Sequence, residues 1–283
     1  MLGWNGEMLN LAGFAIDAIS VGGLETCIQL PGLDMAFDIG RCPRSAVHRS
    51  KILFSHAHMD HLGGVAMHAA TRSLMHMPPP TYYVPKENLE ALEDLFSAWR
   101  RLDRSDLPAN FIPVGPGDQF ELNSRYRVET FRAIHRVPTI GYIIGSTKRK
   151  LKPQYRSLSG KEIKRLRSTG TEVADEKWIP EIAFCGDTVI DVIEREPKLQ
   201  DVRVLILEVT FLDDRVSVAK CRDRGHIHLD EIIERADLFR NRAILLTHFS
   251  ARYRAKDIVR ILDERMPTTL RERVTPLLPG GNP

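Results

Sequence analysis

Three histidines and one aspartate fall within six residues, in the segment LFSHAHMDHLGG (53–64). His56, His58, Asp60 and His61 carry side chains that bind divalent metals well. The segment begins as the apolar run KILF ends and helical spacing starts, so these side chains can converge on one point in a strand-to-helix loop. The pattern predicts a metal site.

Further ligand residues follow strand-like apolar runs elsewhere in the chain. His135 follows VETFRAI, Asp187 follows IAFCG and His248 follows AILLT. An HxH pair alone is usually a chance feature of a surface loop, but ligand residues at the ends of several strands indicate a built site. Seven candidate ligands are more than one zinc ion needs, so we expect two metals.

The elements that must position these residues come in two blocks, each with strands first and helices after. Strand-like runs alternate with amphipathic helical spacing, the latter at 63–75, 86–103, 228–240 and 255–266. Two sheets packed face to face with helices outside satisfy this order. We therefore predict an α+β four-layer αββα sandwich, in one domain spanning 1–283, with a basic excursion at about 146–180.

Composition places the chain among ordinary globular proteins, because 43% of its residues are hydrophobic and 27% charged. No apolar run approaches the length of a membrane span, and the first residues lack the cationic start of a secretory signal. We expect no membrane association, and a cytoplasmic protein, or a nuclear one in a eukaryote. The four cysteines form no CxxC pair, so reduced and mostly buried thiols are expected.

Several motifs resemble those of one family. HAHMDH (56–61) resembles the HxHxDH signature of the metallo-β-lactamase superfamily. HRVPTIGY (135–142), FCGDT (184–188), EVTF (208–211), the Gly-His pair at 225–226 and LTHFSARY (246–253) resemble, in order, the motifs of tRNase Z, the tRNA 3′-processing endonuclease also called ribonuclease Z. The resemblance covers residues 13–265 and implies the metallo-β-lactamase fold. HxHxDH occurs once, which indicates the unduplicated short form.

The resemblance implies two Zn²⁺ per chain, with Mn²⁺ as the alternative. The first would be held by His56, His58 and His135, the second by Asp60, His61 and His248, and Asp187 would bridge them. Two such metals can provide a hydroxide at neutral pH and neutralise charge on a phosphodiester. The implied catalytic residues are Asp60, Glu208 and His226, with Glu208 orienting His226 to protonate the leaving 3′-oxygen.

Two assignments have rivals in the sequence. His228 lies two residues from His226, and proximity cannot separate them; the family pattern favours His226 because it has a single histidine after glycine. Asp38, in FDIG, matches an aspartate that would orient a metal ligand, but a turn aspartate is an equal interpretation. His48, His68 and His76 are expected to have surface or packing roles.

Between residues 146 and 168, nine lysines and arginines accompany a single acid, Glu162. This composition is typical of phosphate binding, and a solvated helical face is the alternative. Ser159 and Glu162 predict a capping box at the start of a short helix. The resemblance places here an arm that grips tRNA, and implies a homodimer. The predicted RNA-binding residues are Lys148, Arg149, Lys150, Lys152, Lys164, Arg165 and Arg167.

Three functions follow from these observations. The first is a zinc-dependent endoribonuclease that removes the 3′ trailer of precursor tRNA, leaving a 3′-hydroxyl on the tRNA and a 5′-phosphate on the trailer. The alternative enzyme is a small-molecule phosphodiesterase, for example on cyclic nucleotides, which would not require the basic segment. A non-catalytic RNA-binding module is disfavoured because every expected ligand is present. Fold alone does not decide among them.

Overall fold

The strand-like runs of the first block pair in chain order into a seven-stranded sheet in the computed structural model, which describes residues 8–279. Neighbours from the first to the fourth strand are antiparallel, and those from the fourth to the seventh are parallel. The strands are β1 (Leu9–Leu11), β2 (Phe14–Val21), β3 (Glu25–Leu30), β4 (Met35–Phe37), β5 (Lys51–Leu53), β6 (Thr81–Pro85) and β7 (Asn110–Val114).

The second block repeats this plan, because its seven strands also lie in chain order and change from antiparallel to parallel pairing at the fourth strand. They are β8 (Gln119–Glu121), β9 (Tyr126–Arg132), β10 (Ile140–Leu151), β11 (Ala174–Phe184), β12 (Val204–Glu208), β13 (Ala243–Thr247) and β14 (Val274–Pro276). As a result β9, β11, β12 and β13 all run in the same direction.

Nine α-helices occur in the part of the chain that the structure describes. They are α1 (Met59–Leu62), α2 (Val65–Leu74), α3 (Leu89–Asp103), α4 (Gly160–Ser168), α5 (Val192–Arg195), α6 (Val218–Asp223), α7 (Leu229–Glu234), α8 (Ala255–Arg265) and α9 (Thr268–Arg271). Apolar side chains of α2 and α3 pack against the first sheet, and those of α6 to α9 pack against the second.

A third apolar cluster lies between the two sheets. The rings of Phe37 and Phe184 stack there with centroids 4.7 Å apart, and buried Tyr142 packs beside Phe37. Each sheet thus buries one face against the other sheet and one against helices, which explains why many strands are apolar on both faces. The predicted αββα sandwich is confirmed.

Several element boundaries differ from those predicted. The run MAFDIG leaves the strand after Phe37, because Asp38 adopts a left-handed backbone conformation with φ of 55°. The predicted helix over 228–240 ends at Glu234 and is followed by a short 3-10 turn, Ala236–Leu238. The sequence does not predict the short elements β1, α6, α9 and β14, since three to six residues give little periodicity. The tail beyond residue 279 lies outside the described residues.

The basic excursion is a continuation of the second sheet rather than a break in it. β10 and β11 extend past the sheet as a two-stranded hairpin, paired from Thr147 with Trp178 to Leu151 with Ala174. Helix α4 lies between the strands in sequence. Ser159 caps this helix: its hydroxyl accepts from the Glu162 backbone N–H at 3.4 Å, and the Glu162 carboxylate accepts from Ser159 N–H at 2.8 Å. The predicted capping box is confirmed.

Candidate metal centre

The predicted ligands lie just after the ends of strands that point toward one edge of the sandwich. The HAHMDH segment follows β5, His135 follows β9, Asp187 follows β11 and His248 follows β13. Since β9, β11 and β13 share one direction, the loops that follow them meet at the same edge. The structure brings all seven predicted ligands together there.

One group of ligand atoms contains three imidazoles and one carboxylate. The His56 Nε2 atom lies 3.0 Å from His58 Nδ1, which in turn lies 3.4 Å from His135 Nε2. The Asp187 Oδ2 atom lies 3.7 Å from His56 Nε2 and 4.0 Å from His135 Nε2. These four residues could hold one metal ion.

A second group of ligand atoms comes from Asp60, His61 and His248. The His248 Nε2 atom lies 3.4 Å from His61 Nε2 and 3.3 Å from Asp60 Oδ2. Asp187 reaches this group as well, with its Oδ1 atom 3.4 Å from His61 Nε2 and its Oδ2 atom 3.4 Å from His248 Nε2. A carboxylate that faces both groups is suited to bridge two ions.

Hydrogen bonds around the cluster fix which ring nitrogen is free to bind a metal. The His61 Nδ1–H donates to Asp38 Oδ2 at 2.7 Å, and the His135 Nδ1–H donates to the Gly225 carbonyl at 2.8 Å. Because a proton on Nδ1 leaves the Nε2 lone pair free, both rings present Nε2 to the centre. Asp38 therefore supports a predicted ligand, in addition to sitting in a turn.

Two further rings are oriented by hydroxyl groups. Ser55 donates to Asp38 Oδ2 at 2.7 Å, so its oxygen accepts from His56 Nδ1 at 3.0 Å. Thr210 donates to Glu208 Oε2 at 2.6 Å, so its oxygen accepts from His248 Nδ1 at 3.0 Å. Four of the five ligand imidazoles thus have a partner at the outer nitrogen, and the inner atoms of the set converge, which fits a pair of divalent metals.

Charge states also suit metal binding. Burial lowers the pKa of His56 and of His135 below its ordinary value, so both rings are neutral at pH 7. Burial alone would raise the pKa of Asp187, but the imidazoles of His248 and His61 outweigh it and hold that pKa well below the usual range. His56 and His135 thus present neutral imidazoles beside an ionised carboxylate. Burial alone would lower the pKa of His61, but the carboxylates of Asp187 and Asp38 outweigh it and raise that pKa, so this ring must lose a proton before it can bind a metal.

Glu208 and His226 form a pair beside this cluster. The His226 Nδ1–H donates to Glu208 Oε1 at 2.8 Å, and the same carboxylate oxygen accepts from the Thr188 backbone N–H at 3.0 Å. Burial tends to lower the pKa of His226, but the Glu208 carboxylate reverses this effect and raises the pKa to about 9. The ring is therefore protonated at pH 7, as a proton donor must be.

His228 has a different task. Its Nδ1 accepts a hydrogen bond from the Asp230 backbone N–H at 3.2 Å, and its Nε2–H donates to the Asp213 carbonyl at 3.2 Å. The side chain is buried and caps helix α7. With both ring nitrogens engaged in structural contacts, His228 has no proton to give at the cluster, so the geometry favours His226.

The other histidines lie apart from the cluster. His68 is buried and bonded to the Tyr82 hydroxyl at 2.8 Å and to the Ala46 carbonyl at 3.2 Å, while His48 and His76 are exposed. All four cysteines are free, and all but Cys42 are buried. Both observations agree with the structural and surface roles predicted for these residues.

The predicted RNA-binding residues lie on the hairpin and near or on α4, and they differ in whether an acidic side chain neutralises them. Arg149 forms an ion pair with Glu176, and Lys152 Nζ lies 3.0 Å from Glu172 Oε2. These acids belong to the returning segment, beyond the basic stretch of 146–168. Lys164, Arg165 and Arg167 are exposed on α4, with no ion pair among the described residues. Lys148 and Lys150 lie on β10, opposite Lys177 and Asp175.

An open cleft of about 470 Å³ adjoins the cluster and is lined by His58, His135, Arg136, Val137, Arg224 and His226. From the sequence, no role is predicted for either arginine, although Arg136 lies within the HRVPTIGY motif. The same holds for Ser55 and Thr210, although each lies within two residues of a predicted site residue, in FSH and EVT. Hydroxyls at those positions are a weak signal, since serine and threonine are common at strand ends.

Comparison with known proteins gives the family. The Beta-lactamase superfamily domain model matches residues 38–249. The chain is 44% identical to the tRNase Z TRZ1 of Arabidopsis thaliana over 276 residues, covering 97% of this chain and 98% of that protein. It is also 44% identical over 167 residues to the Nuclear ribonuclease Z of Triticum aestivum, covering 59% and 95%.

A solved structure agrees in fold. Human tRNase Z, short form, superposes with a TM-score of 0.55 at 20% identity, covering 96% of this chain and 94% of that one. The family predicted from the HxHxDH, HRVPxxGY and LTHFSxRY motifs is thereby confirmed: the chain belongs to the tRNase Z family of the metallo-β-lactamase superfamily.

Proposed function

We propose that the protein is a metal-dependent endoribonuclease that removes the 3′ trailer of precursor tRNA. The single observation that carries this proposal is Asp187, whose carboxylate lies within 4.0 Å of ligand nitrogens in both groups and so fits a two-metal phosphodiester site. The 44% identity to a protein named tRNase Z, along 97% of the chain, supports precursor tRNA as the substrate.

Two Zn²⁺ ions are proposed as the cofactors, with Mn²⁺ as the alternative. His56, His58 and His135 would hold the first, Asp60, His61 and His248 the second, and Asp187 both. When bound, such ions supply Lewis-acid stabilisation of phosphodiester charge and an activated water. The protein's own part is to fix the four rings through Ser55, Asp38, Thr210 and the Gly225 carbonyl, so that little reorganisation is needed when substrate arrives.

Glu208 and His226 are proposed to complete the reaction. The Glu208 carboxylate keeps the His226 ring protonated. Because it binds the Nδ1–H, the Nε2–H on the opposite side of the ring is left free for the open cleft. As water adds to the phosphorus atom and the bond to the 3′-oxygen breaks, His226 donates that proton to the leaving oxygen, which yields a 3′-hydroxyl on the tRNA and a 5′-phosphate on the trailer. Asp60 is proposed both as a ligand and as a catalytic residue, and the Gly23 N–H, which donates to its Oδ2 at 2.9 Å, holds the carboxylate in place.

The hairpin of β10 and β11 with helix α4, called the arm from here on, is proposed to grip tRNA at a distance from the metals. Its exposed cations Lys164, Arg165 and Arg167 support this role.

We propose that the chain forms one domain with the arm as its extension, and that two chains form a homodimer. Exposed Met59, Met67 and Leu74 on α1 and α2 support association, which sedimentation equilibrium would test.

A cytoplasmic or nuclear location is proposed. Four free cysteines suit a reducing compartment, and the wheat relative is named a nuclear enzyme. Among the described helices, none is long and apolar enough to cross a membrane.

The test of function is a side-by-side assay of the zinc-loaded protein on a 3′-extended precursor tRNA and on cyclic nucleotides. We expect efficient cleavage of the precursor and little hydrolysis of the cyclic nucleotides. The reverse preference would transfer the assignment to a small-molecule phosphodiesterase on the same fold.

A further inference from the structure

Two arginines border the cleft beside the metal centre, and neither has an acidic or hydrogen-bonding partner for its guanidinium among residues 8–279. Among residues 8–279, no carboxylate lies within ion-pair distance of the Arg136 or Arg224 guanidinium, and neither guanidinium donates a hydrogen bond to the protein. Arg222, two residues before Arg224, is the opposite case, since it contacts Asp191 and Glu231 at 2.6 Å each. The local sequence therefore contains one structural arginine and one whose charge is left free.

The backbone holds both free arginines next to the site. His135 Nδ1 bonds to the Gly225 carbonyl at 2.8 Å, which joins the loop after β9 to the loop after α6. Gly225 has φ of 78°, and a Cβ there would lie 2.6 Å from His135 Nδ1, so only glycine permits this approach. Arg136 and Arg224 are the chain neighbours of these two joined residues, and both line the cleft with His226.

The Arg224 guanidinium is held by one contact with an aromatic ring. Its guanidinium carbon lies 5.6 Å from the centroid of the Phe211 ring, a distance typical of cation–π contact. Stacking on a ring face leaves the in-plane N–H groups available for an anion. Two guanidinium groups without acidic partners would be repelled by divalent metal ions bound nearby, which is unfavourable unless an anion binds between them. Their placement therefore indicates an anionic ligand.

We propose that Arg136 and Arg224 bind the phosphate immediately 5′ to the scissile one, in the RNA that the proposed function assigns as substrate. The polarity follows from His226. If His226 protonates the leaving 3′-oxygen, the nucleotide that carries this oxygen lies against His226, in the cleft. The next phosphate on that nucleotide's 5′ side then meets the two guanidiniums, whose planar N–H groups match phosphate oxygens. The pair is a positioning device that sets the nucleotide beside the cut.

The experiment is a coupling cycle between protein and RNA. The double variant Arg136→Gln/Arg224→Gln is compared with wild type on precursor tRNA that carries a single uncharged methylphosphonate at the linkage 5′ to the cut, or at the first linkage inside the trailer. We expect the variant to lose about 10–100-fold in kcat/KM, mainly through KM, on unmodified precursor. The 5′ methylphosphonate should cost wild type a similar factor and cost the variant almost nothing more.

Arg101→Gln is the matched control, because Arg101 is exposed on α3 and has no ion pair among the described residues. Arg136→Gln/Arg224→Lys keeps one of the two charges and should recover only part of the activity that the double glutamine variant loses. Equal additional losses in wild type and variant would overturn the assignment, as would coupling to the trailer linkage. The modified RNA tests the wild-type protein directly, so a poorly folded variant cannot hide the answer. If wild type does not cut precursor tRNA at all, the proposed function fails and this inference fails with it.

Discussion

The metal centre and the arm both concentrate charged side chains, yet they are built in opposite ways. In the centre, His56, His61, Asp187 and His248 are almost fully buried, and the outer nitrogen of each of these rings has a partner. On the arm the predicted binding residues are largely exposed, and some, such as Arg149, are occupied by acids of the neighbouring strand. The centre is an ordered network, whereas the arm is a charged surface.

The two designs suit two different tasks. Reaction at a phosphodiester needs groups held to fractions of an ångström, and buried hydrogen-bond networks supply that order. Attraction of a polyanion needs only charge within reach, and it adapts to many tRNAs because exposed side chains can move. Single substitutions should therefore have large effects in the centre and small, cumulative effects on the arm.

The largest effect is expected from Asp187→Ala. Loss of the carboxylate that faces both groups should abolish precursor cleavage and lower the bound metal, and His58→Ala should do the same through the first group. Elemental analysis of the purified proteins checks the metal content. Asp237→Ala is the control, because Asp237 is exposed and lies in the 3-10 turn after α7. Two equivalents of metal in an inactive Asp187→Ala protein would contradict the bridging role.

The next effect separates the two neighbouring histidines. His226→Ala should reduce turnover by about 10²- to 10⁴-fold with metal content unchanged, because it removes a proton donor and no ligand. His228→Ala should leave turnover within a few-fold and lower the free energy of unfolding by roughly 1 kcal/mol or more, because it removes the cap of α7. Single-turnover kinetics and denaturant titration measure the two quantities. The opposite pattern would make His228 the donor.

A smaller effect is expected one hydrogen bond further from the metals. Asp38→Asn keeps the side-chain shape but weakens the bond to His61 Nδ1, so metal affinity should fall by about 10- to 100-fold. Competition with a chelator would measure it. Asp34→Asn is a close control: Asp34 also has a positive φ, of 52°, but its carboxylate binds Ser50 at the surface. An equal metal affinity in the Asp38→Asn and Asp34→Asn proteins would mean that Asp38 does not support the centre.

The smallest effect per residue is expected on the arm. Lys164→Gln, Arg165→Gln and Arg167→Gln together should weaken precursor binding and flatten its salt dependence, by roughly 0.7–0.9 in the log–log slope for each phosphate that the arm no longer neutralises. Cleavage of a small activated phosphodiester should fall far less. The double variant Arg149→Gln/Glu176→Gln removes a pair without changing net charge and should bind nearly as wild type. Equal slopes in all three proteins would refute tRNA binding by the arm.

The same contrast explains what can be predicted from the sequence. The seven ligand candidates are recognisable because metal chemistry limits the residue types, and because strand ends place them at defined points, such as His248 after AILLT. The cations of the arm are recognisable by composition alone. Composition does not reveal the pairing of Arg149 with Glu176, since partners 27 positions apart meet only through the hairpin register. Ser55, Thr210 and Gly225 act through contacts that no local pattern specifies.

Cleavage of RNA with a defined polarity is the chemistry that this centre best supports, and end-group analysis of the products measures it most directly. Metal-stripped protein is reloaded with zinc and incubated with a 3′-extended precursor tRNA, and both fragments are examined by mass spectrometry. We expect cleavage only after reloading, with a 3′-hydroxyl on the tRNA and a 5′-phosphate on the trailer. A 2′,3′-cyclic phosphate on the tRNA, or cleavage that persists without metal, would contradict the proposed metal-dependent cleavage.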